Sequence, residues 1–234
     1  MTNTSKTPVF CAIDTPDMDK AIELCRTIAD IDIGIKLGLE FFNMFGATGI
    51  KKIEDEFPNT PIFLDLKYHD IPNTVAGAIR SVTSQVTPAY LNVHAAGGLE
   101  MMRAAKEACP DNVKLLAVTI LTSLDEEAIS QVGYKDGLRD RVKQMALLTK
   151  EAGLDGVVCS SHEISALREA CGDDFALMVP GIRPAGSATG DQKRIMTPSD
   201  AMSQGATHLV IGRPITQADS PSQAAQDILD SLQK

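Results

Sequence analysis

Eight short runs rich in apolar and β-branched residues recur along this chain, separated by stretches with helical periodicity. That alternation constrains the fold more than any other feature. The runs are VFCAI (9–13), IGIKL (33–37), IFLDL (62–66), YLNVH (90–94), KLLAVTIL (114–121), GVVCS (156–160), FALMVP (175–180) and HLVIG (208–212). Amphipathic patterns over 18–28, 99–109, 138–152 and 161–170 predict helices between them. Strands that alternate with helices pair in parallel, and eight such units in 234 residues fit an α/β protein of the closed (β/α)8-barrel type. The alternative is a doubly wound open sheet. Such sheets carry a glycine fingerprint after their first strand, and AIDTPDMD has none.

No composition break or linker divides the chain, so one catalytic domain over 1–234 is expected. One connection is anomalous. GIRPAGSATGDQKRIM (181–196) is polar, bears glycine and shows no periodicity. Loops of that length inside compact domains are commonly lids or disordered segments.

A net charge of −9 argues against nucleic acid or an anionic membrane surface as a partner. A small anionic ligand stays open, provided that a few basic groups are focused in one cleft. No run approaches the ~18 apolar residues that a membrane span needs. The start, MTNTSKTPVF, lacks the basic and apolar segments of a secretory signal, so a cytoplasmic location is expected. The five cysteines are scattered and never form a CxxC pair. They read as buried thiols rather than as a disulfide or metal framework, and no metal site is expected.

Side chains of a strand alternate between its two faces, so parity tests which polar residues share a side. In the third run, Leu64 and Leu66 face the helices, leaving Phe63, Asp65 and Lys67 inside. In the second, Ile33, Ile35 and Leu37 face outward, which puts Lys36 inside between Gly34 and Gly38. The first run turns Val9, Cys11 and Ile13 outward and Asp14 inward; the fourth turns Asn92 and His94 inward. The fifth, on the parity of Thr119 and Leu121, delivers Ser123. Asp14, Lys36, Asp65 with Lys67, His94 and Ser123 thus gather at the C-terminal ends of five strands, where parallel barrels build their active sites.

The stretch FLDLKYHDIPNT adds Asp70, so Lys36, Asp65, Lys67 and Asp70 alternate in sign. Pairing offsets much of the several kcal/mol that an isolated buried ion costs, roughly. A purely structural ion-pair network is the alternative, and Asp70 has its own, as a helix cap before IPNT. After the eighth run, Gly212 lets backbone approach a ligand and Arg213 supplies charge. Barrels often hold phosphate with the loops after strands seven and eight, and the long connection offers Arg183, Gly186, Gly190 and Gln192.

In order along nearly the whole chain, AID, IKLGLEFF, FLDLKYHDIPNT, NVHAAGG, VTILTS, VPGIRP, GDQKR and VIGRPI resemble the orotidine 5'-monophosphate decarboxylase family of pyrimidine synthesis. The DxKxxDIxxT pattern is highly specific. The resemblance implies cofactor-independent conversion of orotidine 5'-monophosphate to UMP at the interface of a homodimer. It implies Lys67 as proton donor, held in an array with Lys36, Asp65 and Asp70. Asp70 and Thr74 would reach the neighbouring subunit's site. Asp14 and Lys36 would bind ribose hydroxyls, Ser123 would read the pyrimidine amide, and Arg183, Gln192, Gly212 and Arg213 would bind phosphate. His94 is assigned no chemical step; an orienting role fits it.

Loss of CO2 from C6 of orotate leaves a carbanion that the ring cannot delocalise as an ordinary enolate. No cofactor motif is visible, so the protein itself must stabilise that charge. A fixed ammonium does so electrostatically and then delivers the proton, and flanking carboxylates favour its charged form. Three other readings compete. Metal-dependent phosphosugar relatives carry a magnesium-binding glutamate where this chain has Lys36. A Schiff-base aldolase wants a lysine of depressed pKa. A nucleotide-binding barrel without catalysis has no need of the complete charged array.

Overall fold

The computed structural model describes residues 7–184 and 196–233. Among them, eight parallel strands close into a barrel in sequential order. They are β1 (Val9–Ile13), β2 (Gly34–Leu37), β3 (Ile62–Tyr68), β4 (Tyr90–His94), β5 (Lys114–Val118), β6 (Gly156–Val158), β7 (Ala176–Pro180) and β8 (His208–Ile211). Helices connect them on the outside. The first four are α1 (Met18–Ile28), α2 (Leu39–Glu56, broken at Gly46), α3 (Pro72–Thr83) and α4 (Gly98–Ala108). Then come α5 (Glu126–Gln131) and α6 (Leu138–Glu151), α7 (Ile164–Cys171), α8 (Pro198–Ser203), α9 (Arg213–Thr216) and α10 (Pro221–Ser231). No helix among the described residues is long and apolar enough to cross a membrane.

Local chemistry starts and stops these elements. The Asp17 side chain accepts the Asp19 and Lys20 amides, at 3.0 and 3.1 Å, and so caps α1. That helix buries Ala21, Ile22, Cys25 and Ile28, one stripe at helical spacing. Pro72 opens α3, where its missing N–H costs nothing. The five cysteines are all buried free thiols.

The core divides into two apolar layers. Val9, Cys11, Ile13, Ile35, Leu37, Leu64, Leu91 and Val93 pack outward against the helices. Phe10, Phe63, Leu116, Met178 and Val210 fill the barrel interior. Gly34 is required by this filling, because a Cβ there would lie 2.4 Å from the Phe10 ring. Below, Phe10, Phe63, Tyr90 and His208 meet edge-on or tilted and floor the barrel, with the Tyr90 hydroxyl 3.0 Å from His208 Nε2. Apolar packing therefore occupies the lower interior and leaves polar side chains the C-terminal end.

One element differs from expectation. The apolar pattern of the fifth run extends to Leu121, but β5 ends at Val118. Leu116 faces inward, so Thr119 would face out by parity, and its hydroxyl instead donates to the Val158 carbonyl at 3.1 Å. Strand alternation therefore does not carry through to Ser123, which lies exposed in the turn that follows.

Burial lowers the His208 pKa to about 4, against about 6.5 in an unfolded chain. The unfolded state therefore binds more protons between those values, and stability falls with acidification through that window. The contribution is whole above about pH 6.5 and up to roughly 3 kcal/mol is gone near pH 4. The melting temperature should fall less steeply between these pH values in a His208→Gln variant. An identical slope in parent and variant contradicts the assignment.

Candidate active site

Four side chains of alternating sign meet at the C-terminal mouth. Lys36, on the inner face of β2 and 7% exposed, has its Nζ 3.0 and 3.2 Å from the two Asp14 carboxylate oxygens. The same ammonium lies 3.7 Å from Asp65 Oδ2. On the other side, Lys67 Nζ donates to Asp65 Oδ1 at 2.6 Å. Asp65 thus sits between two cations. Burial pushes its carboxyl upward, but Lys67 and Lys36, with hydrogen bonds from Lys67 and Asn92, outweigh it and hold Asp65 below the usual carboxylate range.

Lys67 has φ +53°, the left-handed region, and no other non-glycine residue does so among the described residues. Such a residue costs of order 1–3 kcal/mol and persists only where its surroundings enforce it. The cause is an irregularity in pairing. Leu64 lies opposite Leu91 and Tyr68 opposite Val93, so β3 spends four residues where β4 spends two. The strand kinks there, and the ammonium is turned toward Asp65.

Gly38, at the entry to α2, leaves room for the first pair. A Cβ at that position would lie 3.0 Å from both Asp14 Oδ1 and Lys36 Nζ. His94, at the end of β4, is half-buried, with its ring 5.5 Å from that of His69. Burial lowers its pKa, His69 and Lys67 add to the effect, and Asp65 opposes it.

Other sequence-derived residues lie around this cluster without joining it. Asp70 and Thr74 are exposed at the start of α3. Asp70 makes no hydrogen bond or ion pair with the array within one chain; its carboxylate accepts the Ile71 amide at 2.7 Å. Nor does it cap α3, whose N-cap is Ile71. Arg183 is 7% exposed, and its backbone N–H bonds the Met196 carbonyl at 3.1 Å, drawing together the two ends of the long connection. Gly212 follows β8 as the N-cap of α9, and Arg213 begins that helix, exposed at the same mouth. A Cβ on Gly212 would meet Ala12 at an ordinary 3.4 Å, so packing within the chain alone does not demand glycine. Gly186, Gly190 and Gln192 lie outside the described residues.

Two residues that sequence reasoning left out of the site belong in it. The signal for Gly38 is a glycine directly after an inward lysine. Strand parity turns Asn92 inward without assigning it a part. It is fully buried and hydrogen-bonds to both Asp65 and Lys67. At the opposite end, a cavity of about 550 Å³ is lined by Lys114, Asp155, Phe175 and His208 among others, and by none of the charged cluster. Its Asp155 ties down Lys106, Lys114 and the Leu115 amide, which is structural work. Among the described residues no group of three His, Cys, Asp or Glu is gathered to hold a metal ion.

A closed parallel barrel with an ion-paired lysine at its catalytic end defines a barrel enzyme whose site chemistry is carried by charged side chains. The chain belongs to the family described as orotidine 5'-phosphate decarboxylase / HUMPS, whose model matches residues 7–228. It is 50% identical to the orotidine 5'-phosphate decarboxylase of Rhodospirillum rubrum, over 99% of this chain and 96% of that one. It is 46% identical to the enzyme of the same name from Nitrosococcus oceani, over 95% and 96%. Among solved structures, orotidine 5'-phosphate decarboxylase from Lactobacillus acidophilus superposes with a TM-score of 0.86 at 34% identity, covering 97% of this chain and all of that one.

Gly38→Ala tests how closely the first pair is set. The atoms it crowds are the free ends of two side chains, so the melting temperature should stay within about 2 °C of the parent. Displaced charges should nonetheless cut kcat/KM by roughly tenfold to a hundredfold. Unchanged kcat/KM would show that the Asp14–Lys36 geometry is not critical.

Proposed function

We propose that this chain catalyses the cofactor-independent decarboxylation of orotidine 5'-monophosphate to UMP and CO2, the last step of UMP synthesis. The observation that carries the reading is the Asp14–Lys36–Asp65–Lys67 chain at the barrel mouth. Departure of CO2 leaves an electron pair on C6 in the plane of the ring. Lys67 supplies a positive charge held in place before the reaction begins, so little reorganisation is needed as the carbanion forms. The same ammonium then gives C6 its proton. Asp65 fixes the ammonium, and Lys36 offsets the charge of Asp65 while binding ribose with Asp14. Lys36 also occupies the place where metal-dependent phosphosugar relatives would carry a glutamate ligand.

The phosphate lies far from the reacting carbon, held by Arg183, Gln192, Gly212 and Arg213, with Ser123 reading the pyrimidine amide. Binding energy from that remote group holds the ring in place and excludes water. Purified protein treated with EDTA should consume orotidine monophosphate, read as loss of its ultraviolet absorbance. Lys67→Ala should lose at least ~100- to 10,000-fold, the usual range for a general acid. A variant within tenfold of the parent contradicts the role of Lys67. Arg213→Ala should lower turnover at saturating substrate as well as affinity; full turnover there refutes the remote-binding argument.

The working unit is a homodimer in the cytoplasm, with Asp70 and Thr74 completing the partner's site. Asp70 has no partner in the array of its own chain, and beside it Ile71 is 66% exposed and Leu39, at the entry to α2, 50%. Large apolar side chains flanking polar site residues suit a covered interface. Lys67→Ala and Asp70→Ala homodimers should each be nearly inactive. When the two are unfolded and refolded together, each mixed dimer regains one intact site, so roughly a quarter of the parent activity should return. No recovery contradicts a shared site.

A further inference from the structure

Asn92 is the fully buried residue that joins the two ends of the Lys67–Asp65 pair. Its Oδ1 accepts the Lys67 backbone N–H at 2.8 Å, and its Nδ2 donates to Asp65 Oδ1 at 2.7 Å. That Asp65 oxygen is the one that Lys67 Nζ meets at 2.6 Å. A closed ring of three hydrogen bonds therefore runs from the Lys67 backbone, through the amide, to the carboxylate and back through the ammonium. The register slip between β3 and β4 takes the Lys67 N–H out of the strand ladder, and the Asn92 side chain supplies the acceptor instead. It does so at the one non-glycine residue in left-handed conformation among the described residues.

We propose that Asn92 is a positioning residue for decarboxylation, setting the Lys67 ammonium against the reacting carbon by holding its backbone and its carboxylate partner at once. This rests on the assignment of Lys67 to the substrate carbon. Being fully buried, Asn92 has no surface to offer a substrate and acts through its two neighbours. The chemistry required of it is narrow: one acceptor toward the backbone and one donor toward a carboxylate, on a short stem. A primary amide provides both. An ionised aspartate at 92 offers acceptors only and sets a second anion against Asp65. A protonated aspartate restores the donor–acceptor pair, with its O–H toward Asp65 and its carbonyl toward Lys67.

The test compares N92D, N92A and K67A with the parent for kcat, KM and melting temperature from about pH 5 to pH 8. Around Asn92 the groups whose charge matters are Asp65, Lys67, Lys36 and His94, and all are common to parent and N92D. The ratio of the two pH profiles therefore reports what the added carboxyl does, directly or through these coupled neighbours. N92A should lose about 100-fold in kcat, the scale of a misplaced catalytic group, with KM within about threefold. N92D should show a similar loss at pH 8 and recover part of it relative to the parent as the pH is lowered and its carboxyl takes a proton. A merely structural amide would change the melting temperature without that pH-dependent recovery. Parent-like kcat in both variants, a loss confined to KM, or an N92D loss with the parent's pH dependence overturns the proposal. So does failure of both variants to fold across the range, which would make the amide a requirement of the fold. If K67A keeps parent activity, the reading of Lys67 falls and this inference falls with it. If K67A is inactive while both Asn92 variants keep parent kcat, only the inference falls.

Discussion

The ion pair between Lys67 and Asp65 is the interaction on which the rest of this site depends. Its carboxylate is largely buried, and burial alone would push its pKa upward. Two cations and an amide reverse that tendency, so the charge that holds Lys67 survives out of water. Removing any one of these partners leaves a buried charge short of compensation, which is costlier than never having had the pair. The arrangement consequently has members that depend on one another. It is also rigid, because the lysine reaches Asp65 from a left-handed backbone that the kinked strand and Asn92 hold in place.

The barrel makes such a cluster possible by dividing labour along its axis. Phe10, Phe63, Tyr90 and His208 close the lower interior with aromatic packing. Above them, alternate residues of β2, β3 and β4 deliver Lys36, Asp65 and Asn92 to neighbouring positions on the inner wall. Strands fix these groups more firmly than loops could, so the charges that matter most come from strand ends. The groups assigned to the substrate's periphery (Ser123, Arg183, Arg213) come from the connections. Binding can tolerate movement there; the reacting centre cannot.

Much of this was legible in the sequence because a barrel strand has two unlike faces. Parity placed Val9, Cys11 and Ile13 toward the helices and Lys36 and Asp65 inside, as the two core layers have it. It failed where strands cease to be regular. β5 stops at Val118, and no alternation rule extends through the turn to Ser123. At Lys67 the same rule named the lysine as inward but could not see the irregularity that turns it left-handed, because a register slip belongs to the pairing of two strands. Asn92 was legible as inward and polar, yet its task depends on distances to two residues of another strand. Asp70 illustrates a different limit: it is exposed in one chain, and the role proposed for it lies in a second, which the pattern of a single chain does not display.

The central claim is that the Lys67 ammonium faces C6 and exchanges a proton with it. Microscopic reversibility makes this measurable without decarboxylation, by incubating UMP with the protein in D2O and following deuterium at C6. The account predicts slow protein-dependent exchange that disappears in Lys67→Ala while UMP still binds. Exchange at the parent rate in that variant would contradict it.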